Sequence, residues 1–176
     1  MKVRLSRNAF AVMLANCIEV YKKEAFGLLV GRKSGGDIYV SNAVPCQAVH
    51  SSFNEVKAIG NRTEYLEDAL TDILGSSTKV IGDYHSHPAW GNITPPLIPS
   101  DTDWGDMYGE GRQVYLIIAV NNNKRRVAWH NCRDGRLAGT FNNHKFDITA
   151  YGLNERTDYY EKSRVTLPPT IRRKLK

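Results

Sequence analysis

Apolar residues at Phe10, Met13, Leu14, Cys17, Ile18 and Tyr21 recur at i, i+3, i+4, i+7, i+8 and i+11, the period of one face of an α-helix. Ser6 precedes this run as a candidate N-cap, so the spacing predicts a helix to about Lys23, with Lys2 to Leu5 a short strand before it. The pattern then turns strand-like: residues 24–32 and 37–44 flank Ser34-Gly35-Gly36 and predict a hairpin. Residues 46–60 carry no clear period, a short strand around 53–56 being the one candidate there. A second helical stripe, Leu66, Ala69, Leu70, Ile73 and Leu74, predicts a helix over 61–74 ended by Gly75, with Glu64, Glu67, Asp68 and Asp72 on its solvated face. Lys79 to Tyr84 reads as a strand. Ser100 opens a short third helix in which Trp104, Met107 and Tyr108 share a face. Val114 to Val120 is apolar throughout, as a central strand covered on both faces is. Asn121-Asn122-Asn123 predicts a turn, followed by strands over 126–132 and 137–141. Beyond Tyr151 the periodicity fades. Residues 1–150 are therefore expected to form one domain, and 151–176 an extension ending in a mobile basic tail around Pro168-Pro169.

Composition changes this picture little. The length of 176 residues suits one domain, and 41% apolar with 24% charged residues is ordinary for a globular chain. The net charge of +6 is local, because 164–176 hold five basic residues and no acid. Nucleic acid is accordingly not an expected partner of the body of the chain. Lys2, Arg4 and Arg7 ahead of Ala9 to Ala15 mimic a signal peptide, and Leu14-Ala15-Asn16-Cys17 brushes against a lipoprotein cleavage box. Asn16 is poor at that position, and the helical period runs through the whole segment. No apolar run approaches the roughly 20 residues of a membrane span, so no membrane association is expected. Cys17, Cys46 and Cys132 lack any Cys-x-x-Cys spacing and read as buried thiols of a reducing, cytoplasmic setting.

The chemistry concentrates in Gly82-Asp83-Tyr84-His85-Ser86-His87-Pro88 and Ser100-Asp101-Thr102-Asp103. His85 and His87, two apart in an extended segment, fall on one face, while Ser86 points to the other and is given no catalytic part. Two imidazoles suit one ion, and a zinc that does chemistry takes about three protein ligands and leaves a position for water. Asp103 is the natural third, and Ser100 would face the same opening from the first turn of its helix. Each piece has a plainer reading: a lone His-x-His pair is commonly structural, Ser-x-x-Asp resembles a helix capping box, and Glu24 is by itself a solvated helix-end carboxylate. The connection 89–99 contains Gly91, Pro95, Pro96 and Pro99 and carries Trp90 and Ile93, and is expected to be a substrate-contacting rim rather than a bare surface excursion. His130 and His144 have no ligand partner at useful spacing and read as structural or surface residues.

Taken together, Glu24-Ala-Phe-Gly-Leu-Leu-Val-Gly, His85-Ser-His-Pro88 and Ser100-x-x-Asp103 resemble the JAMM motif of the MPN (Mov34/PAD-1) metalloproteases over about residues 1–145. The departure is the connection between Pro88 and Ser100, which is longer than is usual in the family. The resemblance implies an α/β fold of the MPN, cytidine-deaminase-like kind, a mixed and mostly antiparallel sheet flanked by helices. It implies one Zn²⁺ per chain on His85, His87 and Asp103, Glu24 as general base and then acid, and Ser100 as oxyanion donor. The implied activity is hydrolysis after the C-terminal Gly-Gly of ubiquitin or a ubiquitin-like modifier, with conjugates of such modifiers as partners. Processing of a sulfur-carrier protein with a similar tail is the second reading. A metal-free MPN scaffold is the third, and the intact ligand set speaks against it. A zinc nucleobase deaminase would need His-x-Glu with Pro-Cys-x-x-Cys, which this chain lacks.

Overall fold

The computed structural model describes residues 1–51, 56–59, 61–75, 78–90, 93–169 and 171. Its elements in chain order are β1 (Lys2–Leu5), α1 (Arg7–Glu19), β2 (Phe26–Ser34), β3 (Asp37–Pro45), β4 (Val49–Ser51), β5 (Val56–Ala58), α2 (Arg62–Leu74), β6 (Lys79–Pro88), α3 (Asp101–Glu110), β7 (Val114–Asn122), β8 (His130–Asn131), β9 (Leu137–Phe141), β10 (His144–Asn154) and β11 (Tyr159–Thr166). The main sheet runs β11-β1-β3-β2-β6-β7-β10-β9-β8, and β10 also pairs with β11, which closes the sheet on itself. Among the described residues the parallel pairs are β1–β11, β1–β3 and β6–β7, so the mixed, mostly antiparallel α/β sheet expected from the sequence is what forms.

Closure explains where the core sits. Ser6 accepts from the Ala9 N–H at 3.0 Å and starts α1, whose Phe10, Met13, Leu14 and Cys17 are buried against Leu29, Ile81, Tyr84, Leu116, Ile118 and Phe146. Burying a side chain of the Leu, Met or Phe class contributes about 2 kcal/mol, so this face anchors the fold. The helix stops at Glu19, short of the expected Lys23. Lys22 takes a φ of 88°, which no helix continues through. A smaller cluster of Met107, Tyr115, Ile117, Tyr151 and Tyr160 packs α3 on the opposite face of the sheet.

Gly35 and Gly36, both at positive φ, make the β2–β3 turn, where their missing side chains remove the steric penalty. Gly82 meets a different demand: a Cβ there would lie 1.7 Å from the Val114 carbonyl oxygen, so β6 reaches β7 only without a side chain at this point.

Further expectations need correction. β6 runs on to Pro88, because its parallel register with β7 continues to Pro88↔Val120. The histidines are therefore inside a strand, not beyond its end. The strand expected over 126–132 shrinks to His130–Asn131. The boundary expected at residue 150 falls within β10, and β11 pairs with β1 and β10, so residues 151–166 are sheet; Leu167 and Ile171 are buried too. The stripe of α2 is only partly covered, Ile73 being 79% exposed, because this helix flanks the sheet instead of crossing its core. Of the strand expected over 53–56, residues 53–55 lie outside the described residues, as do Thr170 and 172–176 of the expected tail. None of the described helices is long and apolar enough to cross a membrane.

Candidate metal centre

β6 alternates, so His85 and His87 project to the α3 side while Ser86 projects to the α1 side. All three are buried. His85 Nε2 lies 3.0 Å from His87 Nε2 and 3.4 Å from Asp103 Oδ1, and His87 Nε2 lies 3.9 Å from Asp103 Oδ2. Asp103 arrives from the first turn of α3. Its carboxylate accepts from the Ser100 N–H at 2.6 Å, and its own N–H donates to Ser100 Oγ at 3.1 Å. The capping-box reading and the ligand reading therefore describe the same residue: capping orients the carboxylate that completes the cluster.

The second partner of His87 settles its tautomer. Nδ1 lies 2.9 Å from the Pro96 carbonyl, an acceptor only, so Nδ1 carries a proton and Nε2 presents a lone pair to the cluster. The charges agree with that arrangement. Burial works against a charge on His85, but the Asp103 hydrogen bond and charge outweigh it, aided by Asp83 and Glu24, and raise its pKa. Burial and the neighbouring His85 hold His87 below its ordinary value. Burial pushes the Asp103 carboxyl up, yet His85 and the Ser100 N–H hold it well below the usual carboxylate range. The result is two ring nitrogens 3.0 Å apart beside a carboxylate held in its charged form, which is the kind of place a divalent cation takes over. Ligand atoms at about 2.1 Å from a tetrahedral zinc stand about 3.4 Å apart; here one ligand atom from each of His85, His87 and Asp103 lies within 4.8 Å of the others, close enough for a single ion to draw them in. The residues fit a metal, and one with an N₂O donor set.

Glu24 is buried where α1 hands over to β2 and lines the same cavity, of about 1030 Å³, as His85, His87, Ser100 and Asp103. β2 begins at Phe26, two residues after the expected start, and Phe26 pairs with His85. What pins this approach is Ser86: its hydroxyl accepts from the Ala25 N–H at 2.8 Å, and its N–H donates to the Ala25 carbonyl at 2.9 Å. Ser86 is thus a positioning residue, which the alternation argument placed on the far face but did not value. Ser86→Ala would leave the buried Ala25 N–H without its acceptor. Stability is expected to drop by about 2 kcal/mol in urea unfolding, with metal content unchanged.

Two further residues escaped the sequence reading. Asp83 is buried in the same cavity wall, and burial with the nearby Glu110 pushes its carboxyl up to about 8. Its phase with His85 and His87, at i, i+2 and i+4, was the available signal. Arg112, at the mouth of β7, lies 3.7 Å from Asp83 and pairs with Glu67 and Glu110. It ties α2 to α3 across the cavity, a contact that no local pattern announces. Trp90 and Ile93 are 54% and 67% exposed beside the cavity, joined by an Ile93 N–H to Trp90 carbonyl bond of 2.9 Å, and neither enters its lining. Pro88 and Pro96 do. The connection is held at Leu97, whose carbonyl accepts from Tyr151 Oη.

Comparisons with known proteins agree with this geometry. Over residues 6–132 the chain matches the prokaryotic homologs of the JAB domain. It is 32% identical over 92 residues to COP9 signalosome complex subunit 5 of Kluyveromyces lactis, a match that spans 51% of this chain and 24% of that protein. The solution structure of protein DSY2949 from Desulfitobacterium hafniense shares the fold, with a TM-score of 0.57, 21% identity and coverage of 94% of this chain and 92% of that one. With the family pattern running from the start of α1 through His85, His87 and Asp103 to Cys132, the chain belongs to the prokaryotic homologs of the JAB/MPN family.

Proposed function

We propose that the chain is a zinc-dependent isopeptidase that hydrolyses the bond after the C-terminal Gly-Gly of ubiquitin or a ubiquitin-like modifier. The observation that carries this reading is the buried Glu24 facing the same cavity as His85, His87 and Asp103. His85, His87 and Asp103 would hold a zinc ion, which when bound would supply Lewis acidity and lower the pKa of a water towards neutral pH. Glu24 then takes the proton of the attacking water and returns it to the departing amine, acting as base and afterwards as acid. Ser100 accepts from the Asp103 N–H, so its own O–H proton stays available for the oxyanion of the tetrahedral intermediate, a contribution of about 3 kcal/mol for a well-placed donor.

The cavity extends along β6 from the cluster to Lys79, between α2 and α3. An extended tail ending in two glycines suits this channel, because glycine lets a backbone approach closely. Trp90 and Ile93, on the exposed rim, are placed to meet the folded body of the modifier or its target.

Purified protein is expected to cleave a Gly-Gly amide conjugate, to stop when a chelator removes the metal, and to recover on adding zinc. Comparing ubiquitin conjugates with sulfur-carrier conjugates then identifies the modifier. A zinc-loaded protein inert towards every Gly-Gly conjugate would leave a binding scaffold as the better reading.

A further inference from the structure

Beyond the metal centre, the chain carries a second cavity of about 390 Å³, formed by the segment between β7 and β8 and by the β9–β10 turn. Lys124, Arg125 and Arg126 line it together with Phe141, which is 46% exposed, and no acid does among the described residues. Some of the other cations are paired, among them Arg4 with Asp37, Lys33 with Glu155, Arg112 with Glu67, and Lys162 with Asp134. Lys124, Arg125 and Arg126 make no ion pair among the described residues. Three adjacent cations repel one another, and a cavity is where such repulsion is relieved by an anionic ligand.

Position says which anion. In the parallel register of β6 and β7, Ala119 lies opposite His87 and Val120 opposite Pro88. Lys124 follows Ala119 by five residues, at most about 18 Å of extended chain. The same end of the sheet holds Lys22, whose ammonium donates to the Ala89 carbonyl, and His144, which packs edge-on against Tyr21. The long arm of the metal cavity leaves in the other direction, towards Lys79, and its walls carry Glu64, Glu67, Asp83, Asp106 and Glu110 against Lys57, Lys79 and Arg112. Acids outnumber cations on that side of the reacting centre, and cations predominate on the side of Lys124, Arg125 and Arg126. A nucleic acid lying across the site would meet the acidic arm, whereas a short acidic peptide segment confined to the basic side would not.

We propose that Lys124, Arg125 and Arg126 seat an acidic segment of the polypeptide on the leaving side of the bond cut at the metal centre. This rests on the isopeptidase reading above, in which the modifier tail fills the long arm and the departing amine side emerges past Pro88.

The test uses the full-length, zinc-loaded protein and a variant carrying Lys124→Ser, Arg125→Ser and Arg126→Ser, all three exposed positions. Two quenched peptide substrates share one Gly-Gly acyl segment and differ in the leaving segment, which is rich in Asp and Glu in one and in Asn and Gln in the other. At low ionic strength the parent should prefer the acidic leaving segment by about tenfold in kcat/KM, as three exposed ion pairs together allow. The preference should shrink with added salt. The variant should lose it while cutting the neutral substrate at the parental rate. Equal rates on both substrates in the parent, or a preference that survives in the variant, would overturn the proposal. Fluorescence anisotropy with the labelled acidic leaving segment alone gives an answer independent of turnover. Binding lost in the variant upholds the seat even if neither substrate is cleaved, in which case the hydrolysis reading fails and the seat stands. Tighter binding of a single-stranded DNA of equal charge, also lost in the variant, would overturn the peptide assignment.

Discussion

Replacing Glu24 by Gln is expected to leave zinc bound and to lower kcat on a Gly-Gly amide substrate by about 10²- to 10⁴-fold, the range a positioned general base contributes. The carboxylate is buried, lines the cavity of the His85, His87 and Asp103 cluster, and stands next to Ala25, whose backbone is bonded in both directions to Ser86. Gln keeps the shape and the buried volume but takes no proton at neutral pH. The fold and the metal should therefore be indifferent to the change while turnover is not. Metal content by elemental analysis, thermal unfolding and single-turnover hydrolysis separate these quantities. A zinc-loaded Glu24→Gln protein that turns over at the parental rate would place the proton acceptor elsewhere, with Asp83 the next carboxyl in the cavity wall.

The cluster was legible because its geometry is written in short spacings. An extended segment forces His85 and His87 to one face, and an N-cap followed three residues later by an acid forces Ser100 and Asp103 into one turn. The contributions of Asp83 and Arg112 depend on α2, α3 and β7 meeting over the cavity, and no window of sequence contains that meeting. β11 was missed for a related reason. Its role is to close the sheet onto β1 and β10, so Ser163 is buried in it although polar, just as Thr149 and Asp147 are in β10. Such buried polar residues break the apolar alternation that marks a strand, and only the closed sheet makes them acceptable. α2 erred the other way: its apolar stripe is regular, yet the helix flanks the sheet and leaves Tyr65 and Ile73 largely exposed.

Removing the metal is expected to lower the thermal unfolding midpoint of the parent protein and to do nothing to a variant that lacks a ligand. A ligand that binds only the folded state, present at a thousand times its dissociation constant, contributes about 4 kcal/mol, and for a chain of this size that is about 10 °C. The three ligand residues should not fail alike. His87→Ala removes one nitrogen and frees the Pro96 carbonyl, so the zinc-dependent shift should vanish while the metal-free protein unfolds near the parental temperature. Asp103→Ala removes the oxygen ligand and also half of the α3 capping box, so the metal-free protein should itself lose about 1 kcal/mol. Asp103→Asn tests that division, because an amide oxygen can still accept from the Ser100 N–H. It should unfold near the parent without metal yet gain little from zinc, having lost the charge that draws the cation. A full zinc-dependent shift retained in a protein carrying both His85→Ala and His87→Ala would show that the metal binds elsewhere, and the site would have to be abandoned.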